Sequence, residues 1–193
     1  MFRSSTASPP GDLSLSAFQS SGMANIEDNT MKEHDEDTQQ LLLERTQTLV
    51  SAAEQGVLGT LDDDGYPYTS LVELLFDGDR HFWLLLSDLA VHSDNIRRDG
   101  RASLLISDDV EDSETQTLQT ARATFLGDVV EMDDRRSEVE DRYLELHPEA
   151  EQFIDFSDFH FYRMSIQRAR MVAGFGKVGW VDVDELAGLG AEE

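Results

Sequence analysis

Between Val57 and Ser107 the sequence is cut into short apolar runs by turns of aspartate and glycine, and this punctuation constrains the fold more than any other feature. VLGTL (57–61) gives way to Asp62-Asp63-Asp64-Gly65, then to YPYTSLVELLF, then to Asp77-Gly78-Asp79 and HFWLLL. Runs of this length, rich in β-branched and aromatic residues and ended by turn residues, are strand signals, and Gly65 stands where such a turn most needs a positive φ. Short connections predict an antiparallel meander of the three strands, because parallel neighbours need a crossover of about a dozen residues.

On either side the period is helical. DTQQLLLERTQTLVSAAEQG sets Leu42, Leu49 and Ala53 on one face, with Asp37 or Thr38 to cap the start and Gly56 to cap the end. Residues 1–37 are rich in Ser, Pro and acids without any period, which predicts a disordered acidic tail, then a domain over 38–182 and a C-terminal tail over 183–193. SDLAVHSDNIRRDG (87–100) predicts a short helix with Ser87 or Asp88 as N-cap and Leu89, Val91 and Ile96 as its apolar face. RASLLIS resumes strand, 108–115 is an acidic loop, and 117–132 is a long strand alternating at Ala121, Ala123 and Phe125. Asp133 and Asp134 cap a helix bearing Val139, Tyr143 and Leu146, and FHFYRMSI and RMVAGF give two more strands. About six or seven antiparallel strands with about three helices leave edges that a closed or half-open barrel removes. The expected fold class is therefore mainly β, with peripheral helices.

Forty acidic residues against fifteen basic ones give a net charge of -25. Such a surface repels nucleic acid and anionic membrane, so neither is expected as a partner. The absence of cysteine excludes disulfides, thiolate metal sites and cysteine nucleophiles, and fits a reducing cytoplasm. No apolar run reaches the roughly 18 residues of a membrane span.

Within this acidic background the cations cluster: Arg80, Arg97, Arg98 and Arg101 in one stretch, Arg163, Arg168, Arg170 and Lys177 in another. They either place positive potential where an anion binds or balance Asp94, Asp99 and Asp158. Ser87 to Asn95 adds hydroxyls, His92 and the free backbone N–H groups of a helix start, an arrangement that favours phosphate. His34, His81, His147 and His160 lack metal-ligand spacing and read as structural or surface residues. No glycine-rich nucleotide loop and no serine-hydrolase elbow occurs.

The order G-V-L-G-T-L-D-x-x-G-Y-P-Y-x-S-L-V, then L-L-L-S-D-L-A-x-H-S-x-N-I, then R-A-S-L-L-I resembles the FMN-binding split barrels related to pyridoxamine 5'-phosphate oxidase. S-D-F-x-F-Y-R-M and A-R-M-V-A-G-F-G-K-V-G-W extend the resemblance, which spans Leu42 to Trp180, to the heme-utilisation branch. It implies a homodimer with paired ligand sites at the interface, FMN as cofactor and heme or a related tetrapyrrole as ligand. Carried onto this chain, the implied cofactor contacts are Tyr68, Thr69 and Ser70, then Ser87, Asp88, His92, Ser93 and Asn95, with Arg163 and Arg170 meeting propionates or flavin across the dimer. No Arg follows Arg170 and no His follows His160, so the oxidase's C-terminal substrate motif is missing and oxidation of pyridoxine phosphate is not expected. The expected function is an FMN-dependent redox step linked to heme utilisation; the alternatives are a heme binder without flavin and a tetrapyrrole-pathway regulator.

Overall fold

The computed structural model describes residues 36–108, 120–132, 136–174 and 176–187. The acidic tail expected over 1–37 lies outside them up to residue 35, and so do most of the acidic loop and the caps Asp133 and Asp134. The elements are α1 (Glu36–Ala52), β1 (Gln55–Leu61), β2 (Pro67–Glu73), β3 (Leu75–Phe76), β4 (His81–Ser87), α2 (Val91–Arg98), β5 (Arg101–Ser107), β6 (Arg122–Glu131), α3 (Arg136–Leu146), β7 (Phe159–Val172) and β8 (Val178–Val181). Short 3-10 turns cover Pro148–Gln152 and Val183–Leu186.

The strands form one antiparallel sheet in the order β2-β1-β5-β6-β7-β4-β3, with β8 added to β7. β2 and β3 are separated by Leu74 alone, yet they occupy opposite ends of this path. The sheet must therefore curl until its two edges meet at Leu74, which makes a split barrel. The crossing is feasible because both backbone groups of the fully buried Leu74 find partners: its N–H donates to the Glu54 carbonyl at 2.9 Å, and its carbonyl accepts from His147 Nε2 at 2.9 Å. Consequently the expected meander is corrected to two hairpins, β1-β2 and β3-β4, on opposite edges. A hairpin turn specifies only which two strands pair, and a strand that changes edge after one residue leaves no Gly or Pro to mark the change.

Alternate residues of each strand fill the barrel: Leu58, Leu84, Leu104, Phe125 and Met164 are wholly inaccessible, and Phe82 meets Phe125 edge-on at 4.9 Å. A second cluster joins the outer face of β4 and β7 to α3, where Tyr143 packs edge-on against Phe161 at 5.3 Å. Gly65 has φ 84°, as its turn requires. Gly56, by contrast, is a strand residue and not the cap of α1. An added Cβ would stand 3.0 Å from Leu104 Cδ1 and 3.1 Å from the Leu105 carbonyl oxygen, so the barrel wall would have to give by a few tenths of an ångström to take one.

FHFYRMSI and RMVAGF prove to be one strand of 14 residues, β7. It stays continuous because of a bulge: Leu126 of β6 faces Arg168 while Gly127 faces Ile166, leaving Gln167 as the extra residue. The bulge reverses the parity of β7. Tyr162, Met164 and Ile166 point into the barrel before it, Ala169 and Met171 after it. Without Gln167 as the extra residue, Arg168 and Arg170 would face the core. Of the expected C-terminal tail, residues 183–187 pack on the barrel: Leu186 is fully buried in the main core and Arg80 forms an ion pair with Asp184.

Candidate functional site

The junction of β4 with α2 holds half of the ten residues implied for a cofactor, and its donors are directed inward. Ser93 is fully buried and donates to the Ser87 carbonyl at 2.7 Å. Ser87 Oγ donates to Asp158 Oδ2 at 2.8 Å and accepts from Leu89 N–H at 3.1 Å. Asn95 donates to Thr60 Oγ1 at 3.0 Å. Asp88 is held by Arg97 and by His160 Nε2 at 3.3 Å. The N-cap of α2 is Ala90 with no side-chain hydrogen bond, in place of the expected Ser87 or Asp88. Of the expected apolar face only Ile96 is buried, together with Ser93 and Asn95, while Leu89 is 87% exposed and Val91 50%. Polar side chains at the buried positions pin α2 to β4 and β1 by hydrogen bonds, which a helical period cannot reveal.

Of the candidates on β2, Ser70 reaches the junction, with its Oγ 2.9 Å from His92 Nδ1. Tyr68 shares that side of the strand, where its carbonyl accepts from Thr60 Oγ1 at 3.5 Å. Thr69 stands on the opposite face, paired with Gly59. Burial lowers the pKa of His92 below its ordinary 6.5. The junction therefore presents a neutral imidazole, two carboxylates (Asp88 and Asp158) and hydroxyls already engaged, a poor match for the dianionic phosphate of FMN.

A depressed histidine pKa also sets a pH dependence. Below pH 6.5 the unfolded chain takes up a proton at His92 that the folded chain resists, so the contribution is fully present above that pH and is lost as pH falls through 6.5 toward the folded value. Urea unfolding at pH 7.5 and pH 5.5 is expected to show a smaller loss of stability on acidification in His92→Asn, which has no ring to protonate, than in the parent.

The arginines divide cleanly. Arg80, Arg97 and Arg101 are paired with Asp184, with Asp88 and Asp94, and with Asp99. Arg163, on β7 between Trp83 and Val130, is half-buried beside the second cluster, with its Nε unpartnered. Seven residues of strand, about 23 Å, separate it from Arg170, so the two implied arginines do not meet. Arg170 instead pairs with Arg168: both guanidiniums stack on the Trp180 ring, at 5.3 Å and 4.0 Å from its centroid. Neither forms an ion pair with a carboxylate among the described residues. Asp182, in the cleft beside them, turns to its own chain and accepts from Asp184 N–H at 2.9 Å.

Register extends this platform across the sheet. Trp180 lies beside Arg170, Arg170 beside Thr124, then Leu105, Val57 and Leu71, all on the outer face. A parallel row runs through Arg168, Leu126, Ser103, Gly59 and Thr69. Leu71 is 69% exposed and Val57 and Leu105 are each 38% exposed, an apolar strip where an outer strand face is ordinarily polar. Gly59 keeps the middle flat, since a Cβ there would lie 2.6 Å from Ser103 Oγ. The sequence places Arg168 in a basic cluster with Arg163, Arg170 and Lys177, but it does not show that Arg168 and Arg170 stack on Trp180 or that an exposed apolar strip lies in line with them.

The family described as CREG, beta-barrel, matches residues 37–187. The chain belongs to the CREG beta-barrel family. Among curated proteins, the chloroplastic non-canonical heme oxygenase HOZ of Arabidopsis thaliana is 33% identical to this CREG beta-barrel over 135 residues, 68% of the chain. The chain spans 40% of HOZ's length. A heme binding protein from Mycobacterium smegmatis superposes with a TM-score of 0.68 at 29% identity, covering 75% of this chain and 59% of that one. A Clostridium acetobutylicum protein of the pyridoxinephosphate oxidase family, 18% identical, has a TM-score of 0.57 and covers 76% of this chain and 97% of its own, a likeness of fold. The chain thus shares the split-barrel fold of that protein. Among its described residues no helix is long and apolar enough to cross a membrane, and no cluster of His and acidic side chains is placed to hold a metal ion.

Proposed function

We propose that this protein binds a heme-type tetrapyrrole on the outer sheet face of a homodimer, and serves heme or tetrapyrrole handling by binding and not by flavin catalysis. One observation carries the reading: two guanidiniums without carboxylate partners among the described residues, stacked on one indole at the end of an exposed aliphatic strip, in a chain of net charge -25. Arg168 and Arg170, two residues apart on one strand face, stand about 7 Å apart along the strand. That spacing suits two propionates, and the strip formed by Val57, Leu105 and Leu71 suits an apolar macrocycle. Kinship with a heme oxygenase and a protein that binds heme supports the same ligand class. The flavin reading loses its anchor at the junction, where the hydroxyls are engaged and carboxylates stand near.

Hemin titration tests the reading. A saturable shift of the Soret band, with one hemin bound per protomer, is expected; a protein isolated with a flavin spectrum and indifferent to hemin would contradict it. The dimer has its own test. Leu71→Asp alters an exposed side chain, so monomer stability is expected to change by no more than about 0.5 kcal/mol. Its charge would nevertheless be buried against a second copy, and sedimentation is expected to convert the dimer to monomer.

A further inference from the structure

A second cavity, of about 370 Å³, lies away from both the outer face and the junction, between α1, β3 and α3. Its walls are Val50, Ala53, Leu75, Phe76 and Leu146, and its rim carries Arg142 and Glu145. Val50, Leu75 and Phe76 are buried core residues, so the floor is fixed by the barrel itself. Arg142 makes two long hydrogen bonds, each 3.4 Å, to the carbonyls of Asp77 and Phe76. It forms no ion pair with a carboxylate among the described residues, although the chain has forty acidic side chains. A guanidinium has five N–H donors, and two weak bonds to neutral carbonyls leave most of them available toward the cavity mouth.

We infer that this cavity is a binding site for a small amphipathic monocarboxylate, with the carboxylate on Arg142 and the apolar body against Leu75, Phe76 and Leu146. The volume is at the small end of ligand sites, which favours a short acyl or single-ring body over a lipid or a macrocycle. The sign of the ligand follows from Arg142. Its limit to a single charge follows from Glu145: a phosphate ester would bring two negative charges beside that carboxylate, whereas a monoanion bound by the guanidinium brings one. The inference is independent of the tetrapyrrole reading, because none of these residues belongs to the outer face.

Octanoate is the probe, titrated into the full chain by calorimetry, with octanol as its uncharged counterpart. Saturable one-to-one binding of octanoate is expected, about tenfold tighter than octanol, and about tenfold weaker in Arg142→Gln. Glu145→Gln is expected to strengthen it by removing a repulsive charge. Ala53→Leu, which adds bulk to the wall and leaves both charges in place, is expected to abolish it. Because Arg142 also braces the β3-β4 turn, Ala53→Leu and Glu145→Gln keep the test decisive if Arg142→Gln proves unstable. Absence of saturation, equal affinity for octanol, or binding unchanged in Ala53→Leu would overturn the inference. Hemin titration of the same variants separates the two sites, since loss of octanoate binding with hemin binding retained is the expected pattern.

Discussion

Gly127→Ala is expected to lower the unfolding free energy by about 3 kcal/mol, a large share of what a domain of this size has. An added Cβ would stand 2.1 Å from the Ser165 carbonyl oxygen and 3.0 Å from its carbon, both backbone atoms that no rotamer change can move aside. Relief requires β6 and β7 to separate at the bulge, where the sheet is bent and both strands are hydrogen-bonded on their other sides. A control isolates the steric term from the conformational one. Gly65 also resists substitution, having φ 84°, yet nothing lies within 4 Å of its missing Cβ. Gly65→Ala is accordingly expected to cost about 1 kcal/mol. Urea midpoints at unchanged slope measure both. Equal midpoints for the two variants would show that the clash at the bulge is relieved at little cost. Since the bulge turns Arg168 and Arg170 outward, Gly127→Ala is also expected to weaken hemin binding under conditions where it remains folded.

The second large effect is on the ligand. The double variant Arg168→Ala, Arg170→Ala is expected to reduce hemin affinity about 100-fold, taking roughly 1.5 kcal/mol for each charge-assisted contact. Both side chains are exposed, and the hydrophobic layer beneath them is supplied by Ala169 and Met171, so the melting temperature is expected to stay nearly constant. The dependence of affinity on salt is expected to flatten in the double variant, because the screened attraction has been removed. Arg163→Ala, by contrast, is expected to leave hemin affinity unchanged, since that side chain lies beside Trp83 at the far end of β7.

The strand content of this protein was legible because turn residues and apolar runs alternate in plain sequence, and Gly65 occupies the conformation its turn demanded. Two features were not legible, and both are tertiary. The chain leaves one edge of the sheet and joins the other at Leu74, an ordinary apolar residue whose special role comes from partners at Glu54 and His147. The parity of β7 reverses at Gln167, which reads from sequence as one polar residue in an irregular run. That reversal moved the candidate site. The resemblance points to Ser70, Ser87, His92 and Ser93, which do converge, but on one another, on Asp158 and on the backbone. Arg168 stood in a basic cluster of the sequence, but its place beside Trp180 and in line with Leu105, Val57 and Leu71 comes from the register. Exposed Val91 and buried Asn95 show the same in α2, where hydrogen bonding to Thr60 overrides the helical period.

A crystal structure of the protein saturated with hemin would show which face holds the ligand. Planar density is expected on the outer face, with the propionates on Arg168 and Arg170, the ring over Gly59 and against Val57 and Leu105, and a second copy of the chain closing over it. Hemin seated instead at the junction of Ser70 and His92, or an outer face left bare in a saturated crystal, would contradict this placement.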